Sequence, residues 1–323
     1  MKAIVNTGPN RLEWLDLPLP QPGPGQVRIR TGACGICATD LQMIAGWQRT
    51  PFPAIPGHEW SGRVDAVGPD VGADWVGRSV VADNVLADGG EVGFEHTGGY
   101  ASYFLTEAAC LRALPDAFPL PAATLIEPLA VCVRGMRRLA VEDHRAALVV
   151  GDGPIGLLMS SLLRLARVER IVLVGGRPAR LQLARELGAE AVLNYHEAKA
   201  DLTRAALALV PGGAPNVVEA SGTEAGIRLA LASAAPGARV LVLGDYADRR
   251  ADFPWNMLLH RQLRLIGSNA SAGAWDEAVH LAAIAAVPLQ RLVSRTVPAA
   301  AFAAGIDLVR NSRDAVKVVL TWA

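Results

Sequence analysis

Two textures of apolar patterning divide the chain. From Met1 to about Leu114 the apolar runs are short and densely punctuated by Gly and Pro: KAIVN, PLPQPGPGQ, VRIRTGACG, SGRVDAVG, GRSVVAD and YASYFL. Short β-branched runs between turn residues predict a β-rich domain with long loops. Around Pro121 the spacing becomes helical in AATLIEPLAVCVRGMRRLAV; a buried-strand run, AALVV, then turns through glycines into the apolar helix LLMSSLLRLARV. Strand and helix patterns alternate from there: RIVLVGG, ARLQLARELGA, AVLNY, DLTRAALALV, NVVEASG, AGIRLALASA, RVLVLG, LRLIGS. Such alternation predicts an α/β fold with a parallel sheet covered by helices on both faces. Two helical patterns, WDEAVHLAAIAA and AFAAGIDLVRN, and a strand, AVKVVLTW, close the chain.

Composition narrows the function classes. With 323 residues, 51% hydrophobic and 19% charged, the chain can bury two ordinary cores. Its 31 Lys and Arg balance 31 Asp and Glu, so no net field draws it to nucleic acid or an anionic membrane. MKAIVNTGPNRLEWLDL reads as a first strand and not a signal peptide, and no run approaches the ~18 apolar residues of a membrane helix. Four cysteines (Cys34, Cys37, Cys110, Cys132) are too few for a disulfide framework and fit a reduced, cytoplasmic location.

Gly151-Asp152-Gly153-Pro154-Ile155-Gly156 spells GxGxxG after an apolar strand and before a helix. A plain strand-to-helix turn could share the pattern, but the context selects a dinucleotide site, with the pyrophosphate on the helix N-terminus. A carboxylate about 20 residues further on binds the ribose 2′-hydroxyl of NAD. Here the strand IVLV ends instead in Gly175-Gly176-Arg177, small residues followed by a charged fork suited to a 2′-phosphate. The expected cofactor is NADP(H) in preference to NAD(H). Ser221, Gly222, Leu243 and Gly244 end later strands of this domain, where open parallel sheets bind ligands.

The stretch CGICATDLQMIAGWQRTPFPAIPGHEWSG, from Cys34 to Gly62, carries a thiol at Cys37, an imidazole at His58 and a carboxylate at Glu59. Soft, borderline and hard donors together suit zinc, and three protein ligands leave one position for substrate. They can meet only if the intervening chain folds back. A redox reading of Cys34 and Cys37 is disfavoured, because such a pair normally opens a helix in a βαβ unit and GACGICATD follows a strand in a Gly-rich loop.

CGICATDL, PGHEWSGRVDAVG, GGYASYF, EPLAV and VVGDGPIGLL follow one another over nearly the whole chain. The sequence resembles the zinc-dependent medium-chain alcohol dehydrogenases, nearest the sorbitol and threonine dehydrogenase branch. The resemblance implies a GroES-like β-rich catalytic domain over residues 1–122 and 270–323 and a Rossmann domain over residues 123–269. It implies Cys37, and not Cys34, and His58 as zinc ligands, with Glu59 and Glu127 competing or alternating as the third. Asp40 would hold the zinc-bound imidazole. Thr39 would accept the substrate's hydroxyl proton, while Gln42 stands where many relatives continue the relay with a histidine. Lys317 matches a basic position near the cofactor, and Trp47, Phe52, Phe94 and His96 would shape the pocket. Between Val81 and Tyr103, where relatives often hold four cysteines around a structural zinc, there are none, so one catalytic zinc per subunit is expected. The implied reaction moves hydride between a secondary alcohol (a polyol, cyclitol or amino-alcohol) and NADP(H), giving the ketone. A homodimer or homotetramer is expected through the edge strand LRLIGSNA. A zinc-free quinone oxidoreductase-like reductase would lack the cysteine and GHE ligands. A non-catalytic NADPH-binding module is the remaining alternative.

Overall fold

The computed structural model describes residues 1–198 and 201–322, and in it the chain divides into two compact units, Met1–Glu127 with Trp275–Ala323, and Pro128–Ala274. The expected divisions were 122/123 and 269/270; those of the structure fall at 127/128, inside a helix that begins at Ile126, and at 274/275.

In the first unit β1 (Lys2–Gly8) and β2 (Arg11–Asp16) form an antiparallel ribbon. β3 (Gln26–Gly35) follows, and α1 (Ala38–Ala45) starts just beyond it. This segment was expected to be loop. It is helical because Cys37 and Asp40 form a capping box, Asp40 accepting the Cys37 N–H at 2.8 Å, and because Gly46, at φ 108°, closes the other end in the left-handed conformation. At two turns the helix is too short for its period to stand out. β4 (Trp60–Val67), β5 (Ser79–Ala82), β6 (Tyr103–Glu107) and β7 (Leu111–Ala113) come next. The helical pattern near Pro121 breaks into α2 (Leu120–Ala123) and α3 (Ile126–Leu139).

The second unit alternates strand and helix: β8 (Ala146–Val150), α4 (Pro154–Leu165), β9 (Arg170–Gly175), α5 (Pro178–Glu186), β10 (Ala191–Asn194), α6 (Leu202–Leu209), β11 (Ala214–Glu219), α7 (Glu224–Ala232), β12 (Ala234–Val242), α8 (Asn256–Arg261) and β13 (Arg264–Gly267). All neighbours are parallel, in the order β10-β9-β8-β11-β12-β13. The chain reverses direction across the sheet between β8 and β11, and ligands of such sheets bind at the carboxyl ends of the strands at that point. Every residue of β8 is buried, as a strand covered on both faces requires. β13 lies at the edge with Leu265 exposed, and Trp255 and Leu259 are exposed beside it in sequence.

The chain then rejoins the first unit through α9 (Trp275–Ala283), β14 (Val293–Pro298), α10 (Phe302–Asn311) and β15 (Lys317–Thr321). β15 pairs with β3 and the sheet runs β14-β15-β3-β4-β5-β7, with β6 also on β3. Its core gathers Ile4, Ile29, Tyr100 and Phe104, and Trp60 meets Phe104 edge-on at 4.8 Å. Among the described residues no helix is long and apolar enough to cross a membrane.

Leu148 is fully buried in β8, between β9 and β11. Leu148→Ala is expected to lower the stability of the second unit by about 3 kcal/mol, the cost of a core cavity. Amide hydrogen exchange of β8 and β11 checks this; unchanged protection would contradict it.

Candidate active site

The end of β3 and the start of α1 carry Cys37, and the segment entering β4 carries His58 and Glu59. Gly57 has φ 105°, and a Cβ there would lie 2.7 Å from the Tyr100 ring, so only glycine lets this segment fold back. Gly35 is needed as well, since its Cβ would lie 2.3 Å from Glu59 Oε2. The result is that the Cys37 sulfur, a His58 ring nitrogen and a Glu59 oxygen lie within 4.8 Å of one another.

Lys317, at the start of β15, is placed here by the pairing of β15 with β3. It was expected near the cofactor. Its Nζ donates to both Glu59 oxygens, at 2.7 and 2.6 Å, and both side chains are buried. Burial opposes the ammonium charge, but Glu59 and then Cys37 outweigh it, and the Lys317 pKa is raised.

Asp40 is fully buried behind the imidazole, Oδ1 standing 3.3 Å from His58 Nδ1, with no other hydrogen-bond partner for either atom among the described residues. With Nδ1 facing a carboxylate, Nε2 is left as the donor, the arrangement metal-binding histidines use. Burial works against a charged imidazole, yet Asp40 lifts the His58 pKa well above its ordinary value. Glu127, in the first turn of α3, lies outside the three-atom group. Its carboxyl is pushed up to about 7, chiefly by burial, with His58 and Lys317 pulling it down and Glu59 pushing it up. Thr39 Oγ1 stands 3.6 Å from the Cys37 sulfur. A thiol, an imidazole backed by a carboxylate and a third donor from a carboxyl group form a set that fits zinc.

The cysteine-free segment after β5 packs onto this cluster. Phe94 stacks on the His58 ring at 4.8 Å, and Trp47 meets Phe94 edge-on at 6.3 Å. Arg49 lies over Phe94 at 4.3 Å and is held by Glu91 and Glu95, each at 2.7 Å. Sequence reasoning missed this arginine. The other two residues expected to shape the pocket are engaged differently: His96 pairs with Asp88 at 2.9 Å, and Phe52 packs over Gly46.

In the second unit the three glycines of the fingerprint have distinct reasons. Gly151, at φ 122°, passes so close to Ala220 that a Cβ would lie 2.8 Å from its carbonyl, and a Cβ on Gly156 would lie 2.0 Å from the Gly151 oxygen. Gly153, the N-cap of α4, has nothing within 4 Å of a built Cβ. That open space, the free N–H groups behind it, and Pro154 and Ile155 starting the helix form a cradle that fits a pyrophosphate. Gly175 and Gly176 end β9; a Cβ on Gly176 would lie 2.3 Å from the Tyr195 hydroxyl. Arg177 points to Asp152, whose Oδ1 is 3.2 Å from its Nη1 and 3.8 Å from Nη1 of Arg180. Tyr195, Arg180 and the role of Asp152 were not foreseen. The consecutive glycines are the trace they leave in the sequence, since both make room for a neighbour's side chain. Ser221 is bonded through its N–H to Glu219 at 2.8 Å, and Gly244 packs against Gly222 and the same fully buried Glu219.

Residues 23–116 match the model of the alcohol dehydrogenase GroES-like domain and residues 154–283 that of the zinc-binding dehydrogenases. The chain is 26% identical to a D-arabitol-phosphate dehydrogenase of Enterococcus avium, over 99% of this chain and 97% of that one. It is 29% identical to a D-altritol 5-dehydrogenase of Agrobacterium fabrum, over 92% and 93%. Among solved structures, one from Sinorhizobium meliloti 1021, described as a zinc-binding dehydrogenase bound to NADP, superposes with a TM-score of 0.91 at 26% identity, covering 99% and 98% of the two chains.

Asp40→Asn removes the charge behind His58 while keeping its size. Zinc affinity is expected to fall by about 10 to 100-fold, the usual effect of losing such a partner. Competition with a chromophoric chelator measures it, and unaltered affinity would contradict the assigned role.

Proposed function

Because the chain belongs to the zinc-dependent medium-chain alcohol dehydrogenases, oxidoreductases acting on CH–OH groups, we propose that it interconverts a secondary alcohol and its ketone with NADP(H) and one catalytic zinc per subunit. The observation that carries this reading is the convergence of Cys37, His58 and Glu59 donor atoms within 4.8 Å. Zinc in this donor set supplies a Lewis acid that brings the pKa of an alcohol hydroxyl toward neutrality, and nicotinamide supplies the hydride acceptor.

The chain's own residues prepare that chemistry. Asp40 orients His58 and fixes which nitrogen donates; Lys317 aims Glu59 through its two hydrogen bonds. Glu59 serves as the third ligand, with Glu127 beside it as the alternate. Thr39, next to the thiol, takes the hydroxyl proton. Gln42 cannot titrate, so the proton leaves to water. Phe94 covers one face of the imidazole and keeps solvent off it. A polyol, cyclitol or amino-alcohol is the substrate class, in keeping with the arabitol-phosphate and altritol dehydrogenases among its relatives.

Gly153 and the start of α4 hold the pyrophosphate, and Arg177, Arg180 and Tyr195 gather around the loop after β9 to take the 2′-phosphate. β13, an edge strand with its polar backbone groups unpaired on one side and Leu265 exposed, is the pairing edge of a homodimer or of a homotetramer built from it. The four cysteines form no disulfide among the described residues, which suits a cytoplasmic setting.

A panel of polyols and amino-alcohols assayed with both cofactors tests the reading. Turnover should be higher in kcat/KM with NADP, be abolished by chelation and return with zinc, at one metal per subunit. Arg177→Ala should raise the KM for NADP by about tenfold, the size of a lost charge-assisted hydrogen bond, and leave NAD use nearly unchanged. Full activity without metal, or two zincs per subunit, would contradict it.

A further inference from the structure

The carboxylate that the end of β9 lacks is supplied by the fingerprint itself. Asp152, the residue between the first two fingerprint glycines, is 6% exposed. Its Oδ2 accepts the N–H groups of Gly176 and Arg177, both at 2.9 Å. Its Oδ1 faces the guanidinium groups of Arg177 and Arg180 at 3.2 and 3.8 Å. Gly175 makes room, since a Cβ there would lie 2.5 Å from that of Asp152. The loop that follows β9 is therefore wrapped around a buried anion, and the arginines suited to a 2′-phosphate share that anion.

We propose that Asp152 is the specificity-determining residue for the cofactor's ribose, a counter-ion that offsets one of the two arginines and so admits NAD(H) alongside NADP(H). The proposal rests on the dinucleotide reading of this unit. A 2′-phosphate brings about two negative charges. Two guanidinium groups alone would hold it strongly and leave nothing to accept from a ribose hydroxyl. With Asp152 beneath them the positive field is halved, Arg177 is drawn toward its own loop, and a carboxylate acceptor stands at the strand end where dinucleotide folds read the ribose.

Asn at position 152 separates charge from bracing, because its amide oxygen can still accept the two backbone N–H groups. Titration of the zinc-loaded protein with NADPH and with NADH, followed by nicotinamide fluorescence, gives both dissociation constants without turnover. Asp152→Asn should tighten NADPH and weaken NADH, moving their ratio by about tenfold, the worth of one charge-assisted hydrogen bond. Arg180→Gln, measured in parallel, should move the ratio the other way, and it carries the test if the first variant does not fold. An unchanged ratio in a folded Asp152→Asn protein, or equal loss of both cofactors, would overturn the proposal, as would an unchanged ratio in Arg180→Gln. The wild-type ratio and Arg177→Ala report separately on NADP preference. NADH bound more tightly by the wild type, with Arg177→Ala silent, would sink that preference while leaving the Asp152 shift readable. A clear NADPH preference with Asp152→Asn silent would sink only the counter-ion.

Discussion

The buried ion pair between Lys317 and Glu59 is the contact on which the first unit's site depends. It ties β15, near the end of the chain, to the segment entering β4, and does so beside Cys37. Glu59 is buried, and both of its carboxylate oxygens accept from the equally buried Lys317 ammonium. Removing one partner of such a pair typically costs about 3 to 5 kcal/mol, although the intact pair adds little over an apolar substitute. Its contribution is in fixing the aim of the Glu59 carboxylate toward Cys37 and His58.

The same device recurs wherever a reactive or binding group must be aimed. Asp40 stands behind His58 and also caps α1, so the helix that follows Cys37 and the orientation of the imidazole share one carboxylate. Asp152 gathers the N–H groups after β9, and Glu219 those after β11. Each is buried, and each accepts backbone N–H bonds. A polar network of this kind is stable only when every member is satisfied, which accounts for the small residues packed against it: Gly35 against Glu59, Gly175 against Asp152, Gly244 against Glu219.

Much of this was legible in the chain, for physical reasons that also set the limits. The Rossmann unit announces itself because parallel strands are buried on both faces and alternate with helices of clear period. GxGxxG is informative because Gly151 and Gly156 answer steric demands while Gly153 leaves open space at the start of α4. Cys37, His58 and Glu59 could be read as a candidate donor set from their chemistry, and the structure brings their donor atoms together. The short helix α1 was missed because two turns give little period, although its capping pair was present in Cys37 and Asp40. The contact of Lys317 with Glu59 was not legible, because a resemblance carries a position without its contact and the two residues lie 258 apart in sequence. The contact of Asp152 with the loop after β9 was not legible either, because the fold brings its carboxylate there from the end of β8. Long-range polar contacts leave no periodicity, and glycines that make way for them are their main trace.

In the proposed site the metal is held by one thiolate, one imidazole and carboxylate oxygen, with Cys34 apart from it in β3. X-ray absorption at the zinc edge of the loaded protein measures this directly. A single sulfur neighbour at about 2.3 Å is expected, the remaining neighbours being nitrogen or oxygen. Two sulfur neighbours, or none, would contradict it.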